Sequence, residues 1–290
     1  MRVLVTGGAG HIGSQLRGAL RQAGYAVRVL DLQQANGDFV RGNVADSNAI
    51  ARAVRDVQVV CHLAWGFYPG DERREIQENL LGTLNLLQAA LAAGVEHLLF
   101  ASSAVVYGPT GPARVNEEHP CHPERSTIGG PVYGITKLAC EKLCLAYGRR
   151  GLAVTIFRMH GVFSEGRLGQ FGTIIEQALS EQPVTVTRGA GGEYAHLDDV
   201  LRAFLLAIDI SKSRGQVFNL AGSHTYTDPD LARFIVEATG SQSELALVEY
   251  PTERMISVSV GKLQTLLSCE PCHSEFLTKL IRRTLKKARR

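Results

Sequence analysis

The sequence of 290 residues predicts an α/β fold, a doubly wound parallel sheet with a smaller C-terminal lobe that completes a cleft. Three observations predict it. Apolar strand-like runs alternate with helical periodicities through the first 158 residues, a glycine-rich turn joins the first strand to the first helix, and the alternation loosens after about Met159.

Val3 to Val5 reads as a strand and Ile12 to Ala23 as the helix behind it. Ala26 to Leu30 is a second strand, followed by a loop and a helix over Ala49 to Val54. Val57 to Cys61 is a strand, and Ile76 to Ala93 a helix whose Ile76, Leu80, Leu84, Leu87 and Leu91 form one apolar stripe at helical spacing. Leu98 to Ala101, the helix Tyr133 to Arg149 and the strand Ala153 to Phe157 continue the pattern. Strands this apolar belong to a sheet covered on both faces. Farther on, Ile174 to Leu179 and Val200 to Ile208 read as helices and Val217 to Leu220 as a strand; Leu231 to Ala238 is a helix behind the turn-prone Asp228-Pro229. Residues 1–158 are then a nucleotide domain, to which 196–221 return, while 159–195 and 222–290 form the smaller lobe.

With 45% hydrophobic residues and 31 Lys+Arg against 28 Asp+Glu, disorder, collagen-like repeats and a disulfide-stapled miniprotein are excluded. Arg282, Arg283, Lys286, Lys287, Arg289 and Arg290 outweigh the net charge of +3, so the basic character is a tail on a net acidic body. It suits the end of a solvated helix, and no nucleic-acid or membrane partner is expected. Met1 to Thr6 run straight into a strand and no long apolar span follows, so a cytoplasmic location is expected. Scattered Cys61, Cys121, Cys140, Cys144, Cys269 and Cys272 read as reduced core-fillers. Cys269-Glu-Pro-Cys272-His273 has the letters of a haem-attachment site but the wrong place in the chain, and His119, Cys121 and His122 sit in a proline-bounded loop without ligand spacing. No metal is expected.

Thr6-Gly-Gly-Ala-Gly-His-Ile-Gly13 lies where a pyrophosphate-binding turn must lie, and its glycines let backbone N–H groups reach phosphate at a helix N-terminus. Asp31 ends the second strand, eighteen residues past Gly13, where a carboxylate accepts from ribose hydroxyls and repels a 2′-phosphate. NAD is favoured over NADP. Ser102-Ser103-Ala104-Val105-Val106-Tyr107-Gly108 follows one strand, and Tyr133-Gly-Ile-Thr-Lys137 opens a helix, putting Tyr133 and Lys137 on one helix face. For a tyrosine to act as a base near neutrality its pKa of about 10 must fall by about three units, roughly 4 kcal/mol. One positive charge at about 5 Å and an effective dielectric of about 20 supplies roughly 3 kcal/mol of that.

With these motifs the chain resembles the extended short-chain dehydrogenase/reductase family of NAD-dependent sugar epimerases and dehydratases, over nearly its whole length. His62-Leu63-Ala64, Asn79 with Gly82-Thr83-Leu84-Asn85, and Lys262 through Pro271 match further segments of that family. The resemblance implies a Rossmann domain in which Gly7, Gly10, His11, Ile12 and Gly13 hold the NAD phosphates. Asp31 would take the ribose, Asn43 and Val44 the adenine, and Leu63 and Ala64 would flank the cofactor. It implies Tyr133 as the base, Lys137 on the nicotinamide ribose, and Ser103 orienting the substrate oxygen. It also implies a homodimer built from the Ile76 and Tyr133 helices.

The chain departs from that family in places that bear on the substrate. Ala104-Val105 replaces the Asp-Glu of 4,6-dehydratases and leaves an epimerase or a simple oxidoreductase. Gly161 stands where the family has a diphosphate-binding Asn, and Gly192 where it has an Arg, with Arg188 the nearest substitute. Trp65, Phe67 and Tyr68 stand where smaller residues are usual and would wall an apolar substrate, with His160 lining the same cleft. The first expectation is an NAD-dependent epimerase acting on a sugar nucleotide. The second is an NAD-dependent dehydrogenase or ketone reductase for a non-nucleotide substrate, hydrophobic ones included. A dinucleotide-sensing protein without turnover is the third, and Ser103, Tyr133 and Lys137 argue against it.

Overall fold

The computed structural model describes residues 1–126, 128–130, 132–249, 254–271 and 275–288. Cys272 and His273 of the haem-like motif, and Arg289 and Arg290 of the tail, lie outside them.

Strand β1 (Arg2–Thr6) leads into helix α1 (His11–Gln22), and β2 (Ala26–Asp31) and β3 (Asp38–Arg41) follow. Next come α2 (Ser47–Ala53), β4 (Val59–His62), α3 (Glu72–Glu75), a π-helical turn over Ile76–Leu81, and α4 (Gly82–Ala92). Strand β5 (His97–Ser103) precedes β6 (Gly111–Val115), α5 (Tyr133–Gly148) and β7 (Ala153–Met159). The chain goes on through α6 (Gln170–Leu179), β8 (Val184–Thr187), β9 (Ala190–Glu193), α7 (Leu197–Asp209) and β10 (Gln216–Leu220). It finishes with β11 (Thr225–Thr227), α8 (Asp228–Thr239), β12 (Leu245–Val248), β13 (Arg254–Val258), α9 (Gly261–Leu267) and α10 (Phe276–Ala288).

Seven strands form one parallel sheet in the order β3-β2-β1-β4-β5-β7-β10. Alternate side chains serve its two faces. Val3, Val5, Cys61, Leu99 and Phe157 pack under α1, α7 and α9, while Leu4, Val60, Leu98, Phe100 and Ile156 pack under α2, α4 and α5. Strand order reverses at β1, which has β2 on one side and β4 on the other, so a crevice opens beyond their carboxyl ends. A second sheet, β11-β9-β13-β6, and the pair β12-β8 stand beside it, and a third apolar cluster joins α6, α8 and α10. Strand β6 comes from the N-terminal half yet pairs with β13. No helix among the described residues is long and apolar enough to cross a membrane.

Two expectations are corrected. The segment between the second strand and the second helix is not all loop, because Asp38–Arg41 adds an edge strand to the sheet; an edge is only half covered and needs no apolar run. The stripe from Ile76 to Leu91 is not covered along its whole length: Leu87 is buried and Leu80, Leu84 and Leu91 pack partly against the core, but its first residue does not. Ile76 is 41% exposed, whereas Asn79, Gly82, Thr83, Leu86, Leu87 and Ala90 face inward. The π-helical turn advances the register of everything before it, and the Asn79 side chain fixes that turn by bonding both N–H and C=O of Gly66 at 2.8 Å.

Candidate active site

The crevice is built from the ends of β1 and β4. The Leu63 N–H donates to the Thr6 carbonyl at 3.2 Å and the Ala64 N–H to the Thr6 hydroxyl at 3.2 Å, which seats the chain after β4 against the glycine turn. His62 fixes the base of this junction, its Nδ1 2.7 Å from Thr6 Oγ1 and its Nε2 3.0 Å from Thr83 Oγ1. Burial drives its pKa down to about 3 and the Lys137 charge adds to the effect, so the ring is neutral.

Helix α1 starts at Gly10 with no side-chain cap, so the N–H groups of its first turn are left for a ligand. A methyl group on Gly13 would come within 2.1 Å of the Gly7 carbonyl oxygen, so the turn closes only around glycine. Asp31 is held at the rim by two backbone donors, Ala9 N–H and Gln33 N–H, each 2.9 Å from its carboxylate. Gly7, Gly10, Asp31, Asn43, Val44, Leu63 and Ala64 line one half of a groove. His11, Ile12, Gly13, Tyr133 and Lys137 line the other, again with Gly7 and Gly10. Bare N–H groups at a helix N-terminus, a turn with no room for side chains and a carboxylate at the far rim are what a dinucleotide requires, and the residues present fit NAD. Asn43 presents a braced amide, its Nδ2 2.7 Å from Glu78 Oε2 and its Oδ1 accepting from the Ala45 N–H at 3.0 Å.

At the inner end of the groove β5 and α5 converge. Ser103, at the end of β5, and half-buried Tyr133, opening α5, line a second cavity of about 550 Å³. Burial raises the Tyr133 pKa and the charge of buried Glu75 adds to it, against a hydrogen bond from Ser103 that lowers it. Lys137 is 5% exposed, and burial lowers its pKa to about 7. Its ammonium donates to the Ala101 carbonyl at 2.7 Å and lies 6.0 Å from the Tyr133 ring centre. Trp65 stands between the cavities, its indole lining both halves of the groove and the cleft. Phe67, 54% exposed, stands at the cleft wall, and His160 lines it with Nδ1 3.0 Å from the Glu193 carbonyl oxygen.

Two residues depart from the expectation: Tyr68 lines the dinucleotide groove rather than the cleft, its hydroxyl donating to Glu78 at 2.5 Å, and Arg188 leaves the site altogether. It points to the surface, paired with Glu249 at 3.2 Å, because successive side chains of an extended segment face opposite ways and the preceding Thr187 is the one that lines the cleft; Arg254, from the start of β13, lines it instead. The sequence reading also misses Tyr194, Gln170 and Asp228. The Tyr194 hydroxyl donates to the Asp228 carboxylate, which also accepts from the Gln170 amide at 2.7 Å. Burial raises the pKa of Asp228. Its sequence signal is the Asp228-Pro229 pair, which reads only as a turn and helix start.

The profile of the NAD dependent epimerase/dehydratase family matches residues 3–221. A UDP-glucose 4-epimerase from Lactobacillus helveticus is 27% identical, with 83% of this chain and 82% of that protein covered. The crystal structure of UDP-glucose 4-epimerase from Thermotoga maritima with UDP-glucose superposes with a TM-score of 0.85 at 26% identity, covering 100% of this chain and 99% of that one. The Thermus thermophilus UDP-glucose 4-epimerase complex with NAD superposes with a TM-score of 0.83 at 29% identity, with the same coverage.

Proposed function

The chain belongs to the NAD dependent epimerase/dehydratase family, a family of NAD-using enzymes, and on that premise we propose an epimerase of the extended short-chain type that acts on a sugar nucleotide. It would oxidise one secondary hydroxyl to a transient ketone and restore it with inverted configuration. The observation that carries this reading is the meeting of Ser103 and Tyr133 in one cavity, with Lys137 one helical turn behind at the inner end of the dinucleotide groove.

NAD, held by the glycine turn, Asp31 and Lys137, supplies a hydride acceptor that can give back what it takes. Tyr133 Oη takes the substrate hydroxyl proton and returns it to the same oxygen, while Ser103 Oγ holds that oxygen in place. Burial penalises phenolate and ammonium separately. A positive charge on Lys137, one helical turn from Tyr133, favours phenolate over phenol and so makes Tyr133 the stronger base. Asp31 selects NAD over NADP by repelling a 2′-phosphate. We further propose a cytoplasmic homodimer joined through the helices that carry Ile76 and Leu81 on one side and Ile135 on the other, which are 41%, 47% and 45% exposed.

Incubation with UDP-glucose tests this reading, with configuration followed by proton NMR and reduced nicotinamide by absorbance. Inversion without net reduction is expected. Stoichiometric accumulation of NADH and ketone would replace the epimerase with a sugar-nucleotide dehydrogenase, and no turnover of UDP-glucose favours a second reading, an NAD-dependent dehydrogenase or ketone reductase for a non-nucleotide substrate. Steric detail at the far wall of the cleft supports that alternative. A side chain at Gly161 would begin 2.4 Å from Tyr194 Cδ1, and one at Gly192 would begin 2.1 Å from the Ile256 carbonyl and 2.3 Å from His160 Cε1. The amide and guanidinium that grip a diphosphate in the resembling family have no room here, and stacked His160 and Tyr194 rings, 5.4 Å apart, take up the space.

A further inference from the structure

The only tryptophan of the chain lies against both members of the proposed proton-transfer pair. The Lys137 ammonium sits 3.5 Å from the centre of the Trp65 ring, and the ring meets Tyr133 edge-on at 5.8 Å and 86°. Phe100 presents a second, more distant face at 5.1 Å. We propose that Trp65 is a positioning residue, its indole face keeping Lys137 charged and in place so that the amine can hold Tyr133 as phenolate. The inference rests on the proposed base role of Tyr133.

A desolvated ammonium reverts to the neutral amine unless something favours its charge. Among the described residues no carboxylate forms an ion pair with Lys137. Glu141, one turn along α5, is committed to Arg158 at 2.7 Å and to the Ser102 hydroxyl at 2.5 Å. On β4, His62 is neutral. On α5, the Cys140 and Cys144 thiols are kept protonated by burial. Glu75 acts on Tyr133 from the other side and opposes the phenolate. The Ala101 carbonyl takes one ammonium proton. The Glu141 charge favours the ammonium without touching it, whereas the indole face, with its negative quadrupole 3.5 Å away, rewards the positive charge in direct contact, and it is better at this than phenylalanine. Its edge against Tyr133 keeps the phenol ring from turning away from Ser103.

The test is an ultraviolet difference titration of the NAD-loaded protein, which follows the phenolate band with Tyr133→Phe as baseline. Trp65→Leu is expected to raise the apparent Tyr133 pKa by about half a unit to one and a half units, and Trp65→Phe by less. In a Lys137→Met background the Trp65→Leu shift is expected to vanish, because the charge it acts through is gone. An unchanged Tyr133 pKa in Trp65→Leu, or a shift that persists in full beside Lys137→Met, overturns the proposal. If Lys137→Met alone leaves Tyr133 unmoved, the base reading itself fails. Wild-type protein gives a second readout that requires no Trp65 variant to fold. The emission of Trp65 is expected to change with the same apparent pKa as the Tyr133 band and to lose that step in Lys137→Met; emission with no such step overturns the proposal as well.

Discussion

The Arg158 guanidinium lies on the Glu141 carboxylate, Nη2 to Oε2 at 2.7 Å, with neither side chain more than 5% exposed. Ser102 donates to the same carboxylate and Arg158 Nη1 approaches the Tyr107 hydroxyl at 2.8 Å, so the cluster ties the end of β5, beside Ser103, to α5 one turn beyond Lys137. The ion pair fixes α5 to β7, and the Ser102 hydrogen bond to the same carboxylate extends the tie to β5.

Removing one partner leaves an uncompensated charge in the interior. Arg158→Met is expected to cost about 3–5 kcal/mol in chemical denaturation, and Glu141→Leu combined with Arg158→Met to recover most of it. A loss below about 1 kcal/mol in the single variant counts against this role.

Two glycines of α1 separate the dinucleotide turn from ordinary helix. Gly13→Ala collides with the Gly7 carbonyl and is expected to weaken NAD binding by about tenfold to a hundredfold in calorimetry. Gly18 has open space around its Cβ position, so Gly18→Ala is expected to leave NAD affinity alone and add about 0.5–1 kcal/mol of stability. Equal effects at both positions contradict the assignment of the turn.

His62 predicts a pH dependence. Its pKa is about 3 in the fold and near 6.5 in the unfolded chain. Between those values the unfolded chain binds the extra proton. The stabilising contribution is therefore complete above about pH 6.5 and is lost as pH falls toward 3, by at most about 1.4 kcal/mol per pH unit. Urea midpoints measured from about pH 6.5 down to about pH 4 should fall more steeply in wild type than in His62→Gln. Parallel slopes exclude His62 as the group responsible.

The parts of the fold that are legible in the sequence are those whose pattern is local. β1, β4, β5 and β7 are short apolar runs because both their faces are covered, and Gly7 to Gly13, Ser103, Tyr133 and Lys137 sit in contiguous motifs. Edge strand β3 is hidden because half its surface faces water, with Phe39 and Val40 only partly covered. The π-helical turn is hidden because residue spacing assumes a uniform helix, while Asn79 bonds to Gly66, thirteen residues away. The far wall of the cleft is the least legible. Tyr194, Asp228 and Arg254 come from three separate elements, and only the folded chain brings them opposite Tyr133.

The most direct measurement compares Tyr133→Phe with wild type for NAD affinity and for turnover of the substrate that the stereochemical assay identifies. Loss of a positioned base is expected to lower turnover by about a hundredfold to ten-thousandfold while NAD binds as before. A Tyr133→Phe enzyme that turns over at the wild-type rate, or one that loses NAD along with activity, would contradict the role of that phenol.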